Sequence, residues 1–216
     1  MKVQQGDLVL VFNPPAKESK VKVARFGADL ALVSLNHPDM NGASLVSHGE
    51  PARHWLRRQA LAGGREPFVI AGPGEYETKG VAIRGIASES NYGGEKRINT
   101  VYTIALEGMK LAFVGALGKA ELTPALKEAL GDLDILFVPI GGGGVLAPAE
   151  AYKLAVTLEA RLIIPIHFAG LGEAGALKAF LKEAGEDKLA AVEKLTLKKK
   201  DLEGKEGEVA VLSASA

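Results

Sequence analysis

The pattern of apolar and polar positions divides the chain into a strand-rich first half and a second half in which helices and strands alternate. In the first half, short runs rich in Val, Leu, Ile or Phe are bounded by Gly, Pro, Asn or Asp, which is typical of strands that end in turns. The turn chemistry of Glu107-Gly108-Met109 indicates a hairpin connection. The predicted strands are 7–12, 30–35, 67–70, 75–86, 99–106 and 110–114.

From Glu121 onward the apolar positions recur at helical spacing. Pro148 begins one predicted helix, and Gly131 and Gly185 end two others. The predicted helices are 121–130, 148–158 and 173–184; the predicted buried strands are 134–140 and 161–166; two charged strands are predicted within 194–212, around a turn at 202–205. No linker or repeat interrupts this order, so the sequence predicts a single domain over residues 1–216.

Composition and charge exclude several classes of protein. The 26 basic residues balance the 26 acidic ones, so the whole chain has no field that would hold nucleic acid or an anionic membrane. No apolar run reaches the roughly 18 to 20 residues that span a bilayer, and the first residues lack a secretory signal. We therefore expect a cytoplasmic protein. The chain has no cysteine and four histidines, so any transition metal must be bound by histidine, carboxylate or water.

Polar side chains gather where two predicted strands end. The run 30–35 leads into His37 and Asp39, and the strand 161–166 leads directly into His167. Because layered α/β folds bind ligands at the carboxyl ends of strands, these three residues are candidates for metal binding or acid-base catalysis. Each group also has a purely structural alternative. Asp39 could close an Asx-type turn on its own backbone, and His167 could be a buried histidine that donates to a backbone carbonyl.

Several phrases of the sequence, in order, resemble the metallo-β-lactamase superfamily of zinc-dependent hydrolases, in particular its lactonase-like branch. They are VSLNHPDMNG at 33–42, GPGEYETKGVAIRGI at 72–86, NTVYTIALEGMKLAFVGALG at 99–118, DILFVPIGG at 134–142 and LIIPIHF at 162–168. The resemblance implies an α/β fold, a four-layer αββα sandwich with a binuclear metal site at one edge. It leaves open whether the first edge strand is missing, since the chain starts close to the strand 7–12. If it is missing, we expect the segment 208–212 or a second subunit to cover the open edge.

The resemblance also implies metal ligands that this chain keeps only in part. The family's H-x-H-x-D-H loop falls on residues 35–40, a further histidine is expected after the next hairpin, and a bridging aspartate and a last histidine follow. In the family, His37 would serve one metal, and Asp39 and His167 the other. The positions that keep a ligand are His37, Asp39 and His167, and those that have lost one are Leu35, Met40, Ser90 and Ala116.

The loss of several metal ligands limits the functions that we expect of this chain. Catalytic zinc usually needs three protein ligands and an open position, so we expect at most one weakly bound zinc. A mononuclear site completed by His48, His54, Glu75 or Glu89 is an alternative. The first hypothesis is a hydrolase with weak or mononuclear metal dependence, acting on an ester or phosphoester. The second is a catalytically inactive pseudoenzyme that binds a small-molecule ligand or a partner, and the third is an RNA-associated accessory factor.

Two further segments have sequence patterns that are also found in ligand-binding or partner-binding sites. The run Gly141–Gly144 lacks the Gly-Lys-Ser/Thr ending of a P-loop, so we expect a flexible loop over the pocket and no phosphate site. The segment Glu50–Arg65 predicts a short basic amphipathic helix that contains Trp55. It is either a surface helix over the pocket or a contact for RNA, an acidic partner or a second subunit, which leaves a homo-oligomer open.

Overall fold

The computed structural model describes residues 1–21, 26–48 and 66–213. The chain forms two compact units, residues 1–71 and 72–216. The predicted basic helix at Glu50–Arg65, with His54, lies outside the described residues. The prediction of one domain over 1–216 stays a prediction.

The first unit is built on a four-stranded sheet in chain order. Strands β2, β3 and β4 are parallel, and β1 is antiparallel to β2. The β3 segment is apolar and buried at each position, as expected for a strand covered on both faces. The strands are β1 (Lys2–Gln5), β2 (Leu8–Phe12), β3 (Leu30–Leu32) and β4 (Phe68–Ile70), with a 3-10 turn at Ala43–Val46.

Strand β1 decides whether the first edge strand is missing, which the sequence left open. Lys2 pairs with Val11 and Gln5 with Leu8, through a two-residue turn that begins at Gly6, whose φ is +55°. The first edge strand is therefore present, and the edge of β2 is paired. The condition for coverage of an open edge by residues 208–212 or a second subunit is therefore not met, and Glu208–Val209 pairs in the other sheet.

The second unit is built on a seven-stranded sheet with the order β11-β10-β9-β8-β7-β6-β5. Strands β5 to β8 form an antiparallel meander, and β8 to β11 run parallel. A helix lies in each parallel crossover, as parallel strands require. The strands are β5 (Gly74–Thr78), β6 (Val81–Ser90), β7 (Arg97–Leu106), β8 (Met109–Phe113), β9 (Ile135–Pro139), β10 (Leu162–Ile166) and β11 (Glu208–Val209); the helices are α1 (Pro124–Ala129), α2 (Pro148–Thr157) and α3 (Ala176–Glu183).

The helices bury one face of this sheet. Their apolar side chains pack against alternate residues of the strands, which is the largest source of stability in such a layer. This core includes Leu126 of α1 and Leu130 directly after it, Leu154 and Ala155 of α2, Phe180 of α3, and Val101, Leu136, Val138 and Ile163 of the sheet. Because β6, β8, β9 and β10 point the same way, their carboxyl ends meet at one edge, together with the loops that follow them.

The predicted α/β class with two sheets is confirmed, and two details of the prediction are wrong. The run 75–86 is a hairpin, because Lys79 and Gly80 adopt φ values of +52° and +75° and turn the chain between β5 and β6. The described residues 194–198 form no strand, and a 3-10 turn at Lys199–Leu202 precedes the two-residue β11. No helix in the described ranges is both long enough and apolar enough to cross a membrane.

Tyr102 gives a test of the packing of this sheet. Its side chain is fully buried, and its hydroxyl accepts the N–H of Gly72 at 3.1 Å. Burial raises the pKa of Tyr102 from 10.0 to about 12. Because the raised pKa favours the neutral phenol in the folded state, its contribution to stability is complete below pH 10 and is lost between pH 10 and 12. We predict that wild type loses up to about 2 kcal/mol of unfolding free energy over this interval through Tyr102 alone.

The measurement is urea unfolding at pH 9 and pH 11.5. Tyr102→Phe should lose less unfolding free energy between these two pH values than wild type does. The half-buried Tyr152 of α2 offers a matched control, since Tyr152→Phe should keep the wild-type loss. Equal losses in wild type and Tyr102→Phe would show that the buried phenol is not the source of the alkaline instability.

Candidate functional site

One part of the candidate site lies in the two loops that follow β2 and β3. The loop 13–21 and the loop 33–42 are joined by the N–H of Ala16, which donates to the carbonyl oxygen of Pro38 at 2.7 Å. The buried side chain of Asn13 adds a second connection. It donates to the Ser34 hydroxyl and accepts the Ser34 N–H, both at 2.8 Å. The two loops therefore form one hydrogen-bonded platform.

His37 and Asp39 stand together on this platform. Nδ1 of His37 lies 3.4 Å from Oδ2 of Asp39 and accepts the Asp39 backbone N–H at 3.2 Å. Ser19 of the other loop donates its hydroxyl to Oδ1 of Asp39 at 2.5 Å. Asp39 thus connects two loops, which an Asx-type turn confined to its own backbone does not do. Because Nδ1 accepts a hydrogen bond, a neutral His37 carries its proton on Nε2.

The positions where metal ligands are absent are all part of the packed interior. Leu35 is 1% exposed and Met40 is fully buried, so the side chains beside His37 and Asp39 belong to the core. Ala116 is also fully buried, and Ser90 is 1% exposed with its hydroxyl oxygen accepting the N–H of Tyr92 at 3.2 Å. None of these four sites is an open gap in the structure.

His48 lies at the opposite end of β3 from His37. Its Nε2 is 3.8 Å from Oδ1 of Asp29, the residue that directly precedes β3. The ring lies so close to Gly27 that a Cβ there would be 2.2 Å from Nδ1. The structure therefore contradicts the recruitment of His48 to a metal site beside His37 and Asp39.

Glu75 and Glu89, the other residues considered for a mononuclear site, are paired with cations of their own unit. Glu75 lies 3.7 Å from the Arg84 guanidinium. Glu89 binds Lys96 at 2.9 Å and Lys119 at 3.5 Å. The hydrogen bond and charge of Lys96, followed by the charge of Lys119, lower the pKa of Glu89. A metal ion would have to compete with these lysines for the Glu89 carboxylate.

His167 lies at the carboxyl edge of the seven-stranded sheet. It follows β10 directly and has a φ of +59°, a left-handed conformation that is uncommon outside glycine. Its carbonyl oxygen lies where a Cβ on Gly141 or Gly172 would be 2.2 or 2.4 Å away. The half-buried imidazole tilts against the Tyr92 ring, with centroids 6.2 Å apart. The two glycines leave the space that this conformation of His167 needs.

The glycine run Gly141–Gly144 packs closely against its neighbouring loops. A Cβ on Gly144 would lie 2.6 Å from the carbonyl oxygen of Asn91. The N–H of Glu173 donates to Gly141 at 2.8 Å, and the N–H of Gly142 donates to Leu146 at 3.1 Å. The absent side chains allow three backbone segments to meet here, and the flexibility predicted from the sequence stays a prediction.

Asn99 holds the loop that contains Ala116. Its fully buried side-chain amide donates to the carbonyl oxygen of Val114 at 3.0 Å and to the Ser88 hydroxyl at 2.8 Å. Its Oδ1 accepts the N–H of Ala116 at 2.8 Å. Sequence reasoning missed this residue, although an asparagine inside the apolar run 98–106 is a signal of a buried polar contact.

The donor set of the described residues does not fit a two-metal centre. Within residues 1–21, 26–48 and 66–213, no three His, Cys, Asp or Glu side chains gather closely enough to hold a metal ion. The first unit offers two candidate metal ligands, His37 and Asp39, and the Asp39 carboxylate already accepts a hydrogen bond from Ser19. The candidate donor of the second unit is His167. Their convergence on a single ligand stays a prediction.

Comparison with known proteins gives a consistent family of matches. Residues 1–167 match the family model described as the β-lactamase superfamily domain. A protein of Thermococcus onnurineus named as a metal-dependent hydrolase is 32% identical over 175 residues, 75% of each chain. A Thermotoga maritima structure classed with Zn-dependent hydrolases of the metallo-β-lactamase superfamily has a TM-score of 0.67 and 26% identity, over 98% of this chain and 94% of that one. Igni18 of Ignicoccus hospitalis, described as a metallo hydrolase, shares the fold at 16% identity, with a TM-score of 0.58 over 98% of this chain and 90% of its own.

We predict that Asn99→Ala lowers the free energy of unfolding by about 2 to 4 kcal/mol, because the N–H of Ala116 and the carbonyl of Val114 are left without partners in the core. Urea unfolding measures the loss. Asn41→Ala is the matched control, since this exposed amide donates to Asn36 at 2.8 Å on the surface and should cost less than about 0.5 kcal/mol. Equal small losses in both variants would contradict the role given to Asn99.

Proposed function

The chain belongs to the metallo-β-lactamase superfamily, and from that premise we propose that it is a member of this hydrolase family whose two-zinc centre has been lost. The family match and the similar proteins confirm both the family resemblance of the sequence and the predicted metallo-β-lactamase fold. One observation carries the proposal: the four positions that lack a ligand are filled by buried side chains. Ligand loss is accompanied by a packed interior at each position.

The remaining groups support only modest catalysis. His37 and His167 are imidazoles and Asp39 is a carboxylate, so each can donate or accept a proton. General acid-base catalysis contributes about 10² to 10⁴-fold, whereas enzymes commonly reach about 10⁶-fold or more. We therefore propose that hydrolysis of an ester or phosphoester is slow at most. A zinc ion, when bound, would supply Lewis acidity, and its candidate ligands are the three residues predicted from the sequence.

A second candidate function is that of a pseudoenzyme that binds a small-molecule ligand or a partner. The observation that favours it is that the loops at the carboxyl edge are held by Asn99 and by close glycine contacts. Such an edge keeps its shape with no requirement for catalysis. The RNA-associated form of this hypothesis depends on the segment 50–65, outside the described residues. The cytoplasmic address and a homo-oligomer stay predictions.

We predict that metal-free protein binds at most one zinc per chain, and weakly. Loss of even a residue that only orients a ligand costs about 10 to 100-fold in metal affinity, and loss of the ligands themselves should cost more. Calorimetric titration of zinc into chelator-treated protein measures the stoichiometry. His167→Ala should weaken the residual binding, and His48→Ala, at the far end of β3, should leave it unchanged. The melting temperature should change little with chelator, since the fold does not depend on the metal.

Two tight zinc equivalents per chain, or a large fall of the melting temperature with chelator, would contradict the proposed loss of the centre. An esterase and phosphodiesterase screen on the same sample then separates the two candidate functions. Slow turnover that His37→Ala abolishes supports the residual hydrolase. Absence of turnover with and without zinc supports the binding function.

A further inference from the structure

Ser19 contacts a candidate site residue, although sequence analysis assigned it no role. Its N–H donates to the carbonyl oxygen of Ala16 at 3.1 Å, which holds Ser19 in a turn of the loop 13–21. Its hydroxyl oxygen accepts the N–H of Val21 at 3.0 Å. The same hydroxyl donates to Oδ1 of Asp39 at 2.5 Å. Because a carboxylate oxygen can only accept, the hydroxyl directs its proton at Asp39 while one of its lone pairs accepts from Val21.

The two oxygens of the Asp39 carboxylate therefore face different loops. Oδ1 accepts from Ser19, and Oδ2 lies 3.4 Å from Nδ1 of His37. The side chain of Asp39 is 16% exposed, so water screens these contacts only in part. A hydrogen bond to an ionised carboxylate is roughly twice as strong as one between neutral groups. The bond from Ser19 is thus a strong restraint on the carboxylate.

We propose that the Ser19 hydroxyl takes the place of a metal ion as the restraint that holds Asp39 beside His37. Ser19 is a positioning residue, since it acts through Asp39. This inference rests on the proposed function, in which the two-zinc centre is lost. A metal ion would hold a carboxylate and an imidazole by coordinating both. In this chain, a side chain 20 positions earlier holds the carboxylate from the opposite loop.

The backbone of the two loops reinforces this arrangement. The N–H of Ala16 donates to Pro38 at 2.7 Å, and the N–H of Gly42 donates to Pro14 at 2.7 Å, so the loops are joined on both sides of Asp39. A Cβ on Gly42 would lie 2.2 Å from the carbonyl oxygen of Pro15, which shows how closely the loops approach. The geometry of the pair is thereby built from the chain alone, and added zinc should tighten it little.

Amide hydrogen exchange by NMR on the full, chelator-treated chain tests the proposal. In Ser19→Ala, the amides of Ala16 and Asp39 should exchange about tenfold faster or more than in wild type, because a hydrogen bond to a charged group is lost. Ser19→Thr keeps the hydroxyl and should restore the wild-type rates. Ser47→Ala is the matched control. The hydroxyl of this half-buried residue donates to the carbonyl oxygen of Ser44 at 3.3 Å, away from Asp39 in the sequence, and its loss should leave both amides unchanged.

The ring nitrogens of His37 provide a readout that a merely structural role would not move. In the zinc-free wild type, ¹⁵N spectra of neutral His37 should show the Nε2–H tautomer. In Ser19→Ala, the released Asp39 should allow both tautomers, and Ser19→Thr should return the single form. Unchanged exchange and unchanged ring nitrogens in Ser19→Ala would overturn the proposal.

A zinc titration of wild type keeps the proposal falsifiable if Ser19→Ala does not fold. Exchange of the Asp39 amide should be the same with and without zinc, and a tenfold slowing by zinc would show that the metal is the restraint. Failure of the proposed function appears separately, as two tight zinc equivalents in wild type. Failure of this inference alone appears as an unaffected Ser19→Ala variant in a protein that still binds no zinc pair.

Discussion

Loops at the carboxyl edge of a sheet can be buried only if their backbone N–H and C=O groups find partners after leaving the strands. In this chain, buried or half-buried polar side chains supply those partners. The amide of Asn99 satisfies Val114 and Ala116, and Asn13 satisfies Ser34. In the seven-stranded sheet, glycines also allow loop backbones to approach closely, as Gly141 and Gly172 do at the carbonyl oxygen of His167. The positions of the candidate residues depend on these contacts.

The same constraint explains why the lost ligands are compatible with a stable fold. A cluster of histidines and carboxylates without its ion would leave polar groups buried and unpaired, at a cost of about 1 to 3 kcal/mol each. Leu35 and Met40 are apolar and almost fully buried, and each fully buried side chain of this size contributes about 1.5 to 3 kcal/mol. Their presence therefore favours a metal-free interior. It disfavours the return of a centre that needs ligands at those positions.

Much of the fold could be predicted because its central strands are short apolar runs between turn residues. The segments 8–12, 135–139 and 162–166 show this pattern directly. Strand β1 was missed since its sequence KVQQ is mostly polar, as an edge strand allows, and pairing with β2 decides its conformation. In the site, the spacing of His37 and Asp39 is local and was visible. The bond from Ser19 joins residues 20 positions apart, so it depends on how two loops pack.

Diffraction at the zinc absorption edge, from crystals grown in excess zinc, tests most directly whether the chain holds its site without a metal pair. We expect no pair of anomalous peaks beside His37, Asp39 or His167, and the loops 13–21 and 33–42 should superimpose on those of zinc-free crystals. Two fully occupied peaks about 3.5 to 4 Å apart, the spacing of two-metal sites, would contradict this structure of the edge.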